Sequence, residues 1–375
     1  MSASRFTNSS YIIGAKRSPI APRGGALSTL NLRQLASPVI RALLISCGVD
    51  SQQVDELIVG NALGAGGNPA RLLALASGLD ETVAGLSIDR QCCSGLDAIL
   101  VANDMIVSGR ASIVVAGGVE SYSQRPHRFN KIPGTDTLQA YDQPAFTPWP
   151  ERDPDMTAAA HALAKKLDIS FERQNQYAIR SHEKALNAVE RLSGEIVPMA
   201  QIDKDDFTRK LNTKLCERAS RLHGGITVAN TAVAADGAAF CLIVSESVAN
   251  SINGYKLCIR SGTTMGADPM FPGHAPVSAI DFVLQDANIS AEQLVRTEIM
   301  EAYAAQAIAC IEQTTIDETK SNVGGGALAR GHPIGASGAV LMSRLFTEMN
   351  GKHGWGIATI AAAGGLGTAV LVHSG

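Results

Sequence analysis

No stretch of the 375 residues is apolar over the roughly 20 positions a helix needs to cross a bilayer, which argues against a membrane protein. Charge is equally sparse. Only 18% of residues are charged, the net charge is −3, and no lysine or arginine block supplies the basic footprint of a nucleic-acid binder. The seven cysteines include no C-x-x-C pair, so zinc-ligand spacing is missing and no metal is expected. Their odd number points to free thiols in a reducing compartment. Glycines are many, yet none form G-x-G-x-x-G between a first strand and helix, which removes the usual nicotinamide-dependent oxidoreductase. The opening MSASRFTNSS lacks the charged-then-apolar layout of a signal peptide, and the closing VHSG is no peroxisomal signal. The expectation is a cytoplasmic protein.

What the chain does have is apolar content, 45%, enough to bury two or three domain cores. Strand-like and helix-like segments alternate: strands at 11–15, 54–60, 86–88 and 112–116, with helices at 32–47, 72–78 and 96–107 between them. Alternation of this kind predicts a parallel or mixed sheet covered on both faces. The character changes at Ser121, where prolines, aromatics and charges cluster, and polar helices are expected at 158–167 and 170–191. The core pattern resumes after Asp236-Gly237 with strands at 238–244, 255–261 and 297–300 and helices at 278–285 and 302–313. A helix over 339–349 and a strand over 356–362 then lead to Gly364-Gly365.

Two turns stand out. In Asp89-Arg90-Gln91-Cys92-Cys93-Ser94-Gly95 a pair of cysteines precedes a buried helix, where free N–H groups and the helix dipole favour thiolate over thiol. Cys92 and Cys93 read equally well as small core residues. In the second half, Pro333-Ile334-Gly335-Ala336-Ser337-Gly338 repeats the order of turn, Ser-Gly, helix, strand and Gly-Gly. Two related halves packed face to face would bring His332 of Gly331-His332-Pro333 to Cys92. Imidazole would then take the thiol proton and return it to a leaving group. A histidine that merely caps a glycine-rich turn is the alternative.

Several motifs in fixed order carry a family resemblance: Ala15-Lys16-Arg17-Ser18-Pro19, Gly67-Asn68-Pro69-Ala70-Arg71, Cys92-x-Ser94-Gly95 and Ala116-Gly117-Gly118-Val119-Glu120-Ser121. They continue with Glu301-Ala302-Tyr303-Ala304-Ala305-Gln306 and Gly325-Gly326-Ala327-Leu328-Ala329-Arg330-Gly331-His332-Pro333. Across nearly its whole length the chain resembles the thiolase family, of the acetyl-CoA acetyltransferase and 3-ketoacyl-CoA thiolase kind. The resemblance implies an α/β fold of two pseudo-symmetric βαβαβαββ halves in a five-layered αβαβα core. Residues 1–120 with 226–254 would form the first half, 121–225 an inserted loop domain over the coenzyme A, and 255–375 the second half. It implies a homodimer or tetramer, coenzyme A thioesters as substrates and products, and no tightly bound cofactor. Cys92 would carry the acyl group, His332 would activate it, and the backbone N–H groups of Cys92 and Ala363 would hold the oxyanion. Ala302 and Tyr303 would line the pantetheine tunnel, with Arg221 on the phosphates.

Two positions depart from the family pattern. Its C-x-G-G-G motif, whose cysteine exchanges the proton at C2 of the second acyl group, reads here from Ala361 through Ala363 to Gly365. Its N-E-A-F asparagine is Met300, which has no side-chain donor. Loss of one acid/base group slows a reaction by about 10²–10⁴-fold, and loss of an oxyanion donor by about 10²–10³-fold. Asp89 replaces a usual asparagine, and a T-A-E-N stretch is Ala159 to Ala162 around His161. Asp155, His161, His274, Cys241, Cys258 and Cys310 are further candidates for the pocket. Two functions follow: an acyltransferase working through acyl-Cys92, or a degenerate homologue that binds coenzyme A esters or scaffolds a partner.

Overall fold

Strands Ile113–Glu120 and Ala235–Ser245 are buried at every position but the last serine, so they belong at the centre of a covered sheet. The computed structural model describes residues 9–64 and 66–375. In it these strands pair antiparallel. Ser10–Arg17 flanks them on one side, and Glu56–Gly60 followed by Leu86–Ile88 on the other. The second half repeats the arrangement. Leu257–Gly266 pairs antiparallel with Leu366–Ser374, which pairs antiparallel with Gly354–Ala362, and Leu294–Ile299 adds in parallel. Even the fifth position has a remnant, a parallel bridge from Thr297 to Ser321. The halves join where Ser10–Arg17 meets Leu257–Gly266, with Ser10 opposite Ile259.

The layers follow from which helix touches which strand. Helices Ser94–Val107 and Ser337–Met349 pack on each other and on strands of both halves, so they form the middle layer. Leu32–Cys47 covers the outside of the first half and Pro276–Asp286 the outside of the second. This is the five-layered αβαβα arrangement that the resemblance implies. Local signals agree with it. Asn31 and Gln34 close a capping box at the start of Leu32–Cys47, and Gly48, at φ 66°, ends it in the left-handed region.

One reading of a glycine pair is corrected and another is extended. Gly117-Gly118 does not end its strand, which runs on to Glu120. These glycines exist for close approach: a Cβ on Gly118 would strike the Gly335 carbonyl, and one on Gly117 would strike Ala239. Gly364-Gly365, at φ 81° and 78°, forms a tight hairpin, after which the strand Leu366–Ser374 returns beside its predecessor.

The excursion that leaves the sheet at Ser121 rejoins it at Ala235. It is folded. It carries helices Met156–Lys166 and Phe171–Asn187, a hairpin of Arg128–Lys131 with Leu138–Tyr141, and a small sheet of Arg221–His223 with Ile226–Thr227. Its helices share a core with Ala304–Gln313 of the second half. Buried ion pairs fasten it further. Arg17 reaches Glu195 at 2.7 Å and Asp205 at 2.6 Å, Arg344 reaches Glu195 at 2.9 Å, and Arg330 reaches Asp205 at 3.1 Å. Arg330 lies two residues before His332, so this cluster holds the histidine turn as well as the excursion.

The two middle helices meet at their first turns. A Cβ on Gly95 would lie 2.8 Å from the Gly335 oxygen and 2.9 Å from the Ala339 nitrogen. One on Gly338 would lie 2.7 Å from the Leu96 Cβ. Because backbone would have to move, Gly338→Ala should lose at least about 2 kcal/mol of stability in urea denaturation. Gly194→Ala, where the added methyl meets nothing within 4 Å, should stay within about 0.5 kcal/mol of the parent. Equal effects of the two substitutions would refute the close-approach account.

Candidate active site

The cysteine turn is built by its own polar groups. The Asp89 carboxylate accepts from the Gln91 N–H at 3.0 Å, and Gln91 sits at φ 51°. The Ser94 hydroxyl accepts from the Arg90 N–H at 2.8 Å and donates to the Gln91 carbonyl at 2.6 Å. Below the turn, Asp97 accepts from Thr264 at 2.6 Å and Thr368 at 2.8 Å and pairs with Arg90 at 2.9 Å. The helix Ser94–Val107 is thereby tied to strands of the other half. Cys93 points away from the cavity, fully buried, with its thiol toward the Ile360 carbonyl.

The histidine turn arrives from the opposite half. Gly331 at φ 113° turns the chain, and the His332 N–H donates to the Val233 carbonyl at 2.8 Å. His332 Nε2 lies 3.2 Å from Cys92 Sγ, and Nδ1 lies 2.7 Å from Ser337 Oγ. The Ser337 hydroxyl donates its single hydrogen to the Pro333 carbonyl at 3.0 Å. Its oxygen must then accept from Nδ1–H, which assigns the tautomer and leaves the Nε2 lone pair facing the thiol. Ser337 stands within the Pro333-to-Gly338 turn noted in the sequence, but its bond to His332 had no sequence signal beyond proximity.

The thiolate expected from the helix N-terminus is corrected by burial. Enclosure in protein pushes the Cys92 thiol up to about 12, with the carboxylates of Glu120 and Asp89 adding to the rise. Burial pushes His332 down to about 4. The resting pair is therefore neutral thiol and neutral imidazole. Glu120, which sequence reasoning passed over, bridges the halves: its carboxyl accepts from the N–H groups of Ala62 and Gly335, each at 3.0 Å, and from Asn61 at 2.8 Å. Burial pushes Glu120 up to about 7.

Cys92 and His332 open onto a cavity of about 290 Å³ that is also lined by Ala302, Tyr303, Ala361 and Ala363. Six sequence candidates thus form the pair or its walls. Tyr303 places its hydroxyl 3.4 Å from Thr157 Oγ1. Met300 stays outside, 1% exposed, in the core beneath the cysteine turn. Arg221 also stays outside: it is exposed, donates to the Gly224 carbonyl at 2.8 Å and lies over Phe171. The charged side chains that line the cavity are instead Arg125, Arg128 and Asp142, in and beside the hairpin of Arg128–Lys131 with Leu138–Tyr141.

None of the other candidates lines the cavity. Asp155 caps its helix by accepting from Thr157 and Ala158, and His161 accepts from the Gly225 N–H at 3.4 Å. His274 closes a short turn. Cys241 and Cys310 are buried, and Cys258 faces its neighbour's carbonyl. No group of three or more His, Cys, Asp or Glu among the described residues is arranged to hold a metal. No helix among them is long and apolar enough to cross a membrane.

Comparison with known proteins agrees with this geometry. Residues 10–247 match the model of the thiolase N-terminal domain, and residues 255–374 that of the thiolase C-terminal domain. The putative acetyl-CoA C-acetyltransferase YhfS of Bacillus subtilis is 37% identical over 96% of this chain and 98% of its own length. VraB of Staphylococcus aureus, described in the same words, is 35% identical over 97% of this chain and 99% of its own. Among solved structures, the acetyl-CoA acetyltransferase of Bacillus anthracis superposes with a TM-score of 0.90 at 32% identity, covering 99% of this chain and 100% of that one. Human mitochondrial 3-ketoacyl-CoA thiolase in complex with CoA gives 0.89 at 27% identity, with 98% of each chain covered. With both halves matched and the cysteine and histidine turns facing each other, the chain belongs to the thiolase family of acyltransferases.

Proposed function

We propose that this protein is an acyl-CoA acyltransferase that works through an acyl thioester on Cys92. The observation that carries the reading is the chain Cys92–His332–Ser337, with the imidazole fixed in the tautomer that accepts the thiol proton. Nε2 takes the proton as Cys92 Sγ attacks the thioester carbon, and a C–S bond forms. The oxyanion turns to the backbone N–H groups of Cys92 and Ala363. The intermediate then collapses, the bond to the coenzyme A sulfur breaks, and the imidazolium returns the proton to that sulfur. A neutral ground-state pair suits this sequence, because charge appears only once the thioester has filled the cavity and excluded water.

The human relative was solved with CoA, which supports placing a coenzyme A ester in this cavity, its arm along Ala302 and Tyr303. The second half-reaction is impaired. Ala361 lines the cavity where the family's acid/base cysteine belongs, and its methyl exchanges no proton. Met300 at the asparagine position is buried away from the cavity and donates nothing to an enolate. Ordinary Claisen condensation and thiolysis should therefore be slow. The loaded acyl group passes more readily to an acceptor that needs no enzyme-drawn C2 proton: an amine, an alcohol or a decarboxylating malonyl unit. We assign the active form to a homodimer or tetramer, since Leu86–Ile88, one strand before the nucleophile, ends the sheet with an edge that is unpaired among the described residues. The free cysteines favour the cytoplasm.

Incubation with acetyl-CoA should give one acetyl adduct per chain by intact mass spectrometry, lost in Cys92→Ala. Ser337→Ala should slow its formation by about 10-fold or more, because Nδ1 loses the acceptor that fixes the tautomer. A chain that takes no adduct from acyl-CoA esters of several lengths is a binding or scaffold protein instead. Acylation rate should be level from about pH 5.5 to pH 8, where both groups keep their resting states, and should fall as pH drops toward about 4 and His332 gains its proton. A rate rising tenfold per pH unit through neutrality would mean that a free thiolate, not the neutral pair, is the attacking species.

A further inference from the structure

The cavity has two unlike sides. Toward the second half its wall is uncharged: Ala302, Tyr303, Gln306 and Gly273. Toward the first half, beside Leu63, it carries Arg125, Arg128 and Asp142, so two guanidiniums face one carboxylate, and His332 is neutral. Coenzyme A phosphates are one use for such charge, but the placement of Arg128 argues otherwise. Its guanidinium donates to the Ala62 carbonyl at 3.1 Å. The N–H of Ala62 donates to Glu120, and Glu120 accepts from Gly335 in the His332 turn. Arg128 is thus anchored to the loop that buttresses the catalytic turn.

Arg128 is also underused. A guanidinium has five N–H donors, only the bond to Ala62 occupies one, and Arg128 forms no ion pair among the described residues. Arg125, stacked over Tyr122 at 4.7 Å, is paired at 3.0 Å with an Asp142 side chain that is 90% exposed, a partner easily exchanged for a better one. A half-buried arginine with free donors in a pocket of mainly apolar lining favours a planar oxyanion that can be gripped by two parallel bonds.

We infer that the acyl group carried by Cys92 ends in a carboxylate, so that the preferred substrates are ω-carboxyacyl thioesters of coenzyme A, recognised by Arg128 with Arg125 beside it. This rests on the acyl-transfer reading above. With the pantetheine arm along Ala302 and Tyr303, the acyl tail extends past Cys92 toward Leu63 and the arginines. A carboxylate at its end meets donors that an alkyl tail of equal length would leave desolvated and unpaired, which penalises the alkyl ester.

The test compares esters of matched length: glutaryl-CoA against pentanoyl-CoA and adipyl-CoA against hexanoyl-CoA, with acetyl-CoA as reference, scored as the second-order rate of Cys92 acylation. The parent should favour a carboxyacyl ester over its alkyl match by about 10-fold or more, and Arg128→Gln should shrink that ratio by about 10–100-fold, the range of one charge-assisted bond. Arg128→Lys, which keeps the charge and loses the fork, should restore part of it and controls for folding. Preference absent in the parent, or Arg128→Gln slowing all esters equally as a phosphate contact would, overturns the inference. Acetyl-CoA loading alone then leaves the acyl-transfer reading standing, whereas no loading by any ester removes both.

Discussion

Everything catalytic here depends on two helices being allowed to touch at their first turns. Gly95 and Gly338 have no side chains, so the backbones of Ser94–Val107 and Ser337–Met349 come together where a Cβ would collide with backbone or with Leu96. Gly60 and Gly118 extend the same condition to the strands beneath, since a Cβ on either would strike the Gly335 carbonyl. Each helix is entered by a turn, and the turns carry Cys92 and His332. If the helices stood apart by the width of a methyl group, the 3.2 Å contact between sulfur and imidazole would be out of hydrogen-bond range. The duplicated fold matters for chemistry because it delivers two equivalent helix starts to one point.

Around that point the structure keeps charge low. The thiol is pushed up to about 12 and the imidazole down to about 4 by the same burial, and the Ser337 hydroxyl, not a carboxylate, holds Nδ1. Such a pair moves a proton only when a reacting carbonyl makes the transfer worthwhile. A buried cluster of charge, Arg17, Glu195, Asp205, Arg330 and Arg344, locks the excursion to the body. Breaking one partner there would strand the others without solvent, so the cluster specifies one position for the turn that begins at Arg330.

The alternation of strand and helix was legible because hydrophobic periodicity survives in both halves, and the Ser-Gly and Gly-Gly repeat exposed the duplication. What periodicity could not convey was distance. Gly117-Gly118 looked like a strand end, but its glycines serve contact with the neighbouring layer, and the last strand, Leu366–Ser374, was hidden behind a similar pair. Cys92 and His332 were readable from motif order. The thiol's protonation was not, since a helix start predicts thiolate while the surrounding layers decide burial. The arginines at the cavity were not legible for a related reason. Arg221 and Arg128 each open a short hairpin strand of the excursion, and only the folded excursion shows that Arg128 lines the cavity while Arg221 stays exposed.

The central claim is that this site keeps the acylation half of thiolase chemistry and has lost the proton shuttle at Ala361. Rapid-quench measurement of coenzyme A release tests it most directly. The parent should release one equivalent per chain from acetyl-CoA in a burst and then nearly stop, with thiolysis of acetoacetyl-CoA barely detectable. Ala361→Cys should raise that thiolysis by about 10²-fold or more at an unchanged burst. Steady thiolysis by the parent, unaffected by Ala361→Cys, would show that another group already moves the C2 proton and would contradict the account.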